Sequence, residues 1–422
     1  MSFLRHLVPP RGPIRILAAS SLGRSVGHGM LLSVSVLYFT RSVGIPATQV
    51  GLGLSLAAVV GMLTSVPAGH ASDVLGARNT ATVFVVLQGI LICGYAVAGG
   101  FAGFLVAASL VVMAEAGSDA ARGALVAGVV PSGERVQARA YIRSVNNLGI
   151  SLGAVSGGVA LHFDTRPVYV GLLLTCGLVY VLAGLVYLVL PTVPPTAKSG
   201  QDGPRWVVLR DRPFVVVALL NAVLVMNGGI LTVALPIWIA QRTNAPTWVY
   251  AAVLVLNTGM VVLFQVRVSR GTEDVTGGAR ALRRAGVLLA VCCGLFALAA
   301  GQPAWVAVAA LGAGALVHVF GELLGAAGGW ALAYELAPDH AMGQYQGLFG
   351  TTDQLASAVT PVTATVLIIG IGWPGWLVFG ALMLAAGMVA PSAASWALRT
   401  RHRYRRVSTA EEQQPAAAHQ AG

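Results

Sequence analysis

Gly69-His70-Ala71-Ser72-Asp73-Val74-Leu75-Gly76-Ala77-Arg78-Asn79 is a short polar turn between two long apolar stretches, about 47–69 before it and about 80–98 after it. About 20 predominantly apolar residues cross the hydrocarbon core of a bilayer as a helix, and both flanks are that long. Gly69 and Gly76 permit a tight turn and close helix approach. Asp73 is an acid able to face a helix N-terminus. The segment reads as the connection between two membrane-spanning helices.

Stretches of the same kind recur on both sides of this turn. The sequence predicts spans at about 14–39, 47–69, 80–98, 102–128, 141–163 and 168–190. A second set follows at about 214–240, 247–266, 285–301, 304–328, 343–370 and 374–397. The polar stretch 191–213, rich in Pro and Gly, links the two sets. The expected organisation is a cytoplasmic N-terminus (1–13), a six-helix bundle (14–190), a cytoplasmic linker (191–213), a second six-helix bundle (214–397) and a basic, disordered tail (398–422). The fold class is all-α, with twelve transmembrane helices. The first span lacks a small-residue cleavage site, which argues against a removed signal peptide.

Composition agrees. Soluble domains carry about 25 % charged residues; this chain has 10 %, with 56 % hydrophobic residues and 52 glycines. Small residues let membrane helices approach closely. The net charge of +11 looks at first like a nucleic-acid signal. With the N-terminus inside, 20 of the 26 Lys+Arg fall on cytoplasmic segments, against Arg41, Arg166 and Arg242 outside. That bias places both termini in the cytoplasm and removes the case for a nucleic-acid partner. Arg outnumbers Lys 25 to 1 in an Ala- and Gly-rich chain, which points to a GC-rich bacterial genome and hence to the cytoplasmic membrane. Cys93, Cys176, Cys292 and Cys293 lie in apolar spans without metal-ligand spacing and read as small packing residues.

The halves share an internal spacing. Glu115 lies sixteen residues before Pro131, and Glu322 sixteen before Pro338. This offset of 207 sets Gly153-Ala154 opposite Thr360-Pro361, as expected of a parallel repeat.

The turn at 69–79 resembles the cytoplasmic signature of the major facilitator superfamily, with Gly69, Asp73, Gly76 and Arg78 matching and Val74 and Ala77 standing where basic residues are usual. Gly149, Gly153 and Gly157 similarly resemble the glycine-rich fifth helix of the superfamily's drug:proton antiporters, although Ala154 replaces a common Pro. The resemblance spans 14–397 and implies two bundles around a midplane cavity. It further implies that the first, fourth, seventh and tenth helices line that cavity, and that Asp73 latches the halves together in one state.

Membrane-embedded charges cost about 2.5–3.5 kcal/mol each on an insertion scale and mark function by default. Glu115, Asp119 and Arg122 share one face of span 4, and Arg24 and His28 share one of span 1. His318 and Glu322 lie on span 10, Asp353 on span 11 and Arg143 on span 5, while span 7 offers Asn221 and Asn227. Spans 3, 6, 9 and 12, peripheral in the superfamily, carry none.

Glu115, Asp119 and Glu322 are candidates for proton coupling, because a carboxylate that changes partner between two states changes its proton occupancy. Static pairs, Asp119 with Arg122 or Arg24 with Glu115, are the alternative. Arg122 reads as structural. His28 and His318 read as proton relays or as polar lining. Gly69, Asp73, Gly76, Arg78, Arg143 and Asp353 are assigned to latching and gating between halves, with a local hydrogen bond the alternative for Asp353.

No nucleotide loop, metal cluster or nucleophile set stands out, so the chain reads as a transporter and not an enzyme or sensor. The expectation is proton-coupled export of a small, partly apolar molecule by a monomer, with the proton gradient as energy source and no cofactor. Proton-linked nutrient uptake is the alternative.

Overall fold

The computed structural model describes residues 12–195 and 207–403. Residues 1–11, the middle of the linker and the tail beyond 403, with the cytoplasmic and disordered assignments made for them, lie outside the described residues.

Among the described residues the chain is helical throughout and has no strand. The first half contributes α1 (Pro13–Leu37), α2 (Ala47–Leu75), α3 (Ala77–Gly94), α4 (Gly100–Val129), α5 (Arg135–Phe163) and α6 (Arg166–Val186). After a single turn at Val207–Arg210 come α7 (Arg212–Arg242), α8 (Trp248–Val268), α9 (Val275–Leu298), α10 (Ala304–Glu335), α11 (Met342–Ala364) and α12 (Trp373–Thr400). Helix α7 is relaxed by a π turn at Ile230–Ala234, and α11 runs on through another at Thr365–Gly370. Such turns occur often at functional sites.

Ten of these helices are long and apolar enough to cross a membrane. The two that fall short, α1 and α5, are long enough at 25 and 29 residues. Their interiors carry the Arg, His, Asn, Ser and Gly residues that lower their apolarity. Several helices also outrun their predicted spans. Helix α9 starts ten residues before the predicted 285, capped by Asp274, which accepts the Gly277 N–H at 2.5 Å. It therefore takes in Arg280, Arg283 and Arg284. Helix α5 starts at Arg135 and so brings Arg139 into the helix. Hydropathy locates the apolar core of a helix and not its polar extension.

The helices pair by one scheme used twice. In the first half α1 packs on α5 and α6, α2 on α4, and α3 on α4 and α6. Six helices later α7 packs on α11 and α12, α8 on α10, and α9 on α10 and α12. Contacts between halves follow the same offset: α2 with α11 mirrors α8 with α5, and α4 with α11 mirrors α10 with α5. The internal repeat is thus visible in the packing.

Small residues set the closest approaches. Gly149, Gly153 and Gly157 face α1, where a Cβ on Gly153 would fall on the Val26 carbonyl oxygen. Outside these seams the surface is apolar. Leu63, Val97 and Val255 are each more than 70 % exposed, which suits contact with lipid and would be an aggregation liability in water.

Candidate functional site

At the end of the molecule that carries the 69–79 turn, α2 ends at Gly76, whose φ of +91° lies in the left-handed region that favours glycine. The buried Asp73 side chain crosses to the other half. Its Oδ1 accepts the Gly343 N–H at 2.6 Å, and its Oδ2 accepts the Gln344 N–H at 3.1 Å. These are free donors in the first turn of α11, where a carboxylate is favoured. Gly69 and Gly343 make this possible, since a Cβ on either would fall on the other's carbonyl oxygen. Farther along the seam, Ser65 donates to the Gly347 carbonyl at 2.7 Å. Arg78 does not take part. Its guanidinium donates to the Leu190 carbonyl at 3.0 Å and to Asn79, because the start of α3 lies against the end of the sixth-helix segment of its own half.

Between the halves lies a cavity of about 890 Å³ lined by α2, α4, α10 and α11, with Arg139 entering from α5. It runs from Gln346 and Ala333, near the end with the 69–79 turn, to Leu54 and Pro361 near the opposite ends of α2 and α11. An adjoining cavity of about 330 Å³ shares Trp330, Phe349, Asp353 and Ser357 and reaches Arg143, Glu322, Asn221 and Asn227. Of the sequence-selected residues, Glu115, Asp119, Arg122, Arg143, Glu322, Asp353, Asn221 and Asn227 line these two spaces, whereas Arg24 and His28 of α1, expected in the cavity lining, stand behind Asp119 and Glu115.

In the first half Arg24 Nη2 and Arg122 Nη2 each form an ion pair with Asp119 Oδ1 at 3.2 Å. The two arginine side chains are 10 % and 9 % exposed, whereas Asp119 is 44 % exposed, facing the cavity. Glu115, one turn earlier, lies 3.5 Å from His28 Nδ1. Arg24 therefore pairs with Asp119 and not with Glu115, because Asp119 lies closer to the end of the molecule that Arg24 occupies.

In the second half Glu322 has three neighbours from three helices. Arg143 of α5 pairs with its Oε1 across the half boundary, and Asn257 of α8 donates to Oε2 at 2.7 Å. His318, one turn earlier on α10, lies 3.8 Å away. His318 is fully buried, with Nε2 3.2 Å from the Asn227 carbonyl, so it stands behind the cavity wall and not in it. Asp353 accepts from Asn221 Nδ2 at 3.1 Å, which gives it a local partner in its own half.

Three participants escape the sequence reading. Arg139 is one turn before Arg143 on α5 but falls before the predicted start of that span. Asn257 sits beside Thr258 in an otherwise apolar run. Trp330 follows the Gly325–Gly329 stretch, which reads as a helix-packing or hinge segment, and its ring lies 5.6 Å from the guanidinium of Arg139 and 5.9 Å from that of Arg143.

A family model described as Major Facilitator Superfamily matches residues 17–361. No curated protein matches the sequence. Among solved structures, the chain resembles the human organic anion transporter MFSD10 (TETRAN) at 18 % identity and a TM-score of 0.68, over 90 % of this chain and 100 % of that one. It resembles the transporter FucP in its outward conformation at 14 % identity and a TM-score of 0.72, over 91 % and 98 %. A bacterial homologue of the iron transporter ferroportin, outward-facing, gives 14 % identity and a TM-score of 0.68, over 92 % and 99 %. At such identities the likeness speaks for the fold. With the family model matching most of its length, the chain belongs to the Major Facilitator Superfamily: it is a multi-pass membrane transporter of small molecules, and not an enzyme.

Proposed function

We propose that the protein is a proton-coupled exporter of a small, partly apolar molecule. Twelve spans form two six-helix bundles, with both termini on the cytoplasmic side of the cytoplasmic membrane. The 69–79 turn is then cytoplasmic, Asp73 latches that side shut, and the cavity faces outward. Glu322 carries the reading, because its ion pair with Arg143 joins the two halves at the cavity wall. A proton on Glu322 removes that pair and leaves Arg143 uncompensated, which favours separation of α5 from α10. Glu115 and Asp119 face the same space from the first half and complete the set of coupling carboxylates. His28 can carry the proton of Glu115 or hand it on.

The test is transport in proteoliposomes with an imposed pH gradient, screened with a compound panel and read by substrate flux and by an internal pH dye. Wild type should move substrate and protons in a fixed ratio and in opposite directions. Glu322→Gln should lose gradient-driven flux while keeping substrate exchange, with Glu115→Gln and Asp119→Asn measured alongside. Gradient-driven flux at wild-type level in all three variants would refute proton coupling through these carboxylates. Movement of substrate and proton in the same direction would replace export by uptake.

A further inference from the structure

Among the described residues Arg139 is a cavity cation without an ion pair of its own, although Asp119 and Asp353 line the same cavity within electrostatic reach of it. Among the described residues Arg24 and Arg122 meet Asp119, and Arg143 meets Glu322. No acidic oxygen among the described residues lies within ion-pair distance of Arg139, which rests against the Trp330 ring. A second guanidinium beside it has spare capacity. Arg122 is more than nine-tenths buried and lines the same cavity. Its Nη2 is taken by Asp119, while its Nη1 has no hydrogen-bond partner. Leaving a buried donor unmatched is costly, the more so for a charged group. Arg139 thus presents unused N–H groups at the end of the cavity where Gln346 also lies, and Arg122 Nη1 is an unmatched, solvent-inaccessible donor in the wall beside it. The walls beyond them mix apolar side chains, including Met62 and Phe349, with the carboxylates of Glu115 and Asp353.

We infer that this end of the cavity is an anion subsite. The substrate carries a carboxylate, sulfonate or phosphate on an apolar or aromatic body. Arg139 donates to its anionic oxygens, in the planar geometry that suits guanidinium–oxyanion pairing, and the unmatched Arg122 guanidinium adds its charge from the wall. The Trp330 ring holds Arg139 in position by a cation–π contact. The apolar side chains of the walls take the rest of the molecule. This inference rests on the cavity being the transport path proposed above.

The experiment uses purified protein in lipid nanodiscs and probes on one aromatic scaffold. These are 2-naphthoate and naphthalene-2-sulfonate as anions, 2-naphthylmethanol as the neutral compound and 2-naphthylmethylammonium as the cation. Affinities are read by calorimetry and checked by thermal shift. At least one anion should bind wild type about tenfold or more tightly than the neutral and cationic probes. Arg139→Gln should lose about tenfold in anion affinity, the scale of one charge-assisted hydrogen bond. Arg139→Lys should retain part of it, and both variants should melt as wild type does. Neutral or cationic probes binding as tightly as the anions would overturn the subsite, as would anion binding unchanged in Arg139→Gln. The two proposals fail separately. Anion preference with transport indifferent to the pH gradient would sink coupling alone. Gradient-driven transport without anion preference would sink the subsite alone.

Discussion

Asp119 shows how one residue's environment divides structure from chemistry. Two nearly buried arginines converge on a single carboxylate oxygen, and the other face of the carboxylate looks into the cavity. Removing one partner of a buried pair typically costs about 3–5 kcal/mol because the remaining charge is stranded. Here two cations would be stranded against each other, while access to cavity water offsets part of the penalty. Asp119→Asn is therefore expected to destabilise the protein by about 3 kcal/mol, read as a lowered melting temperature in detergent. A second change, Arg24→Gln in the same chain, should recover part of the loss; no recovery would mean that the arginines are not held by Asp119. The sequence exposes the charges themselves, since each is an exception in an apolar run. It does not expose their partners. Spacing along α4 allows Asp119 to meet Arg122, but which carboxylate takes Arg24 depends on how α1 slides against α4, and that register is set by the glycine contacts of α1 with α5.

At the scale of an element, the seam between α2 and α11 rests on two glycines. The backbones at Gly69 and Gly343 approach so closely that neither position has room for a methyl group. Asp73 then reaches the first N–H groups of α11. Inserting a methyl into a packed seam costs about 1–3 kcal/mol, a population shift of roughly five- to 150-fold if only the closed seam pays it. Gly69→Ala or Gly343→Ala should thus favour the state in which this seam is parted. Spin labels near the ends of α2 and α11 would report a longer distance distribution than in wild type. An unchanged distribution would mean that the seam does not part between the two states. The motif residues are legible in the sequence, but the donors that Asp73 meets are not. Gly343 sits at the start of a helix 270 residues away from Asp73, in a stretch with no signature of its own. Arg78 belongs to the same motif yet bonds within its own half, so motif membership alone does not assign a contact.

For the whole molecule, the repeated pairing scheme makes the two halves comparable bodies, and the seams between them are the places where relative motion must occur. The six-plus-six pattern of spans and the spacing of Glu115 and Glu322 foreshadow this from the sequence. The cavity does not follow from pattern, because its lining draws on five helices whose facing sides emerge only when the halves meet. If the proposed export runs by alternating access, the α2–α11 seam opens in every cycle, whereas seams inside a half need not. Thr351 Oγ1 reaches the Met62 carbonyl at 3.4 Å across the α2–α11 seam, and Ser20 Oγ reaches the Ala183 carbonyl at 2.7 Å inside the first half. With the native cysteines replaced by alanine, a Met62→Cys/Thr351→Cys pair cross-linked by a short thiol reagent should lose transport almost completely. Transport should return on cleavage of the link by reductant. A Ser20→Cys/Ala183→Cys pair linked in the same way should keep most of its transport. If the α2–α11 link leaves transport intact, the halves do not rock about this seam, and the coupling assigned to the Arg143–Glu322 pair loses the motion it is meant to control.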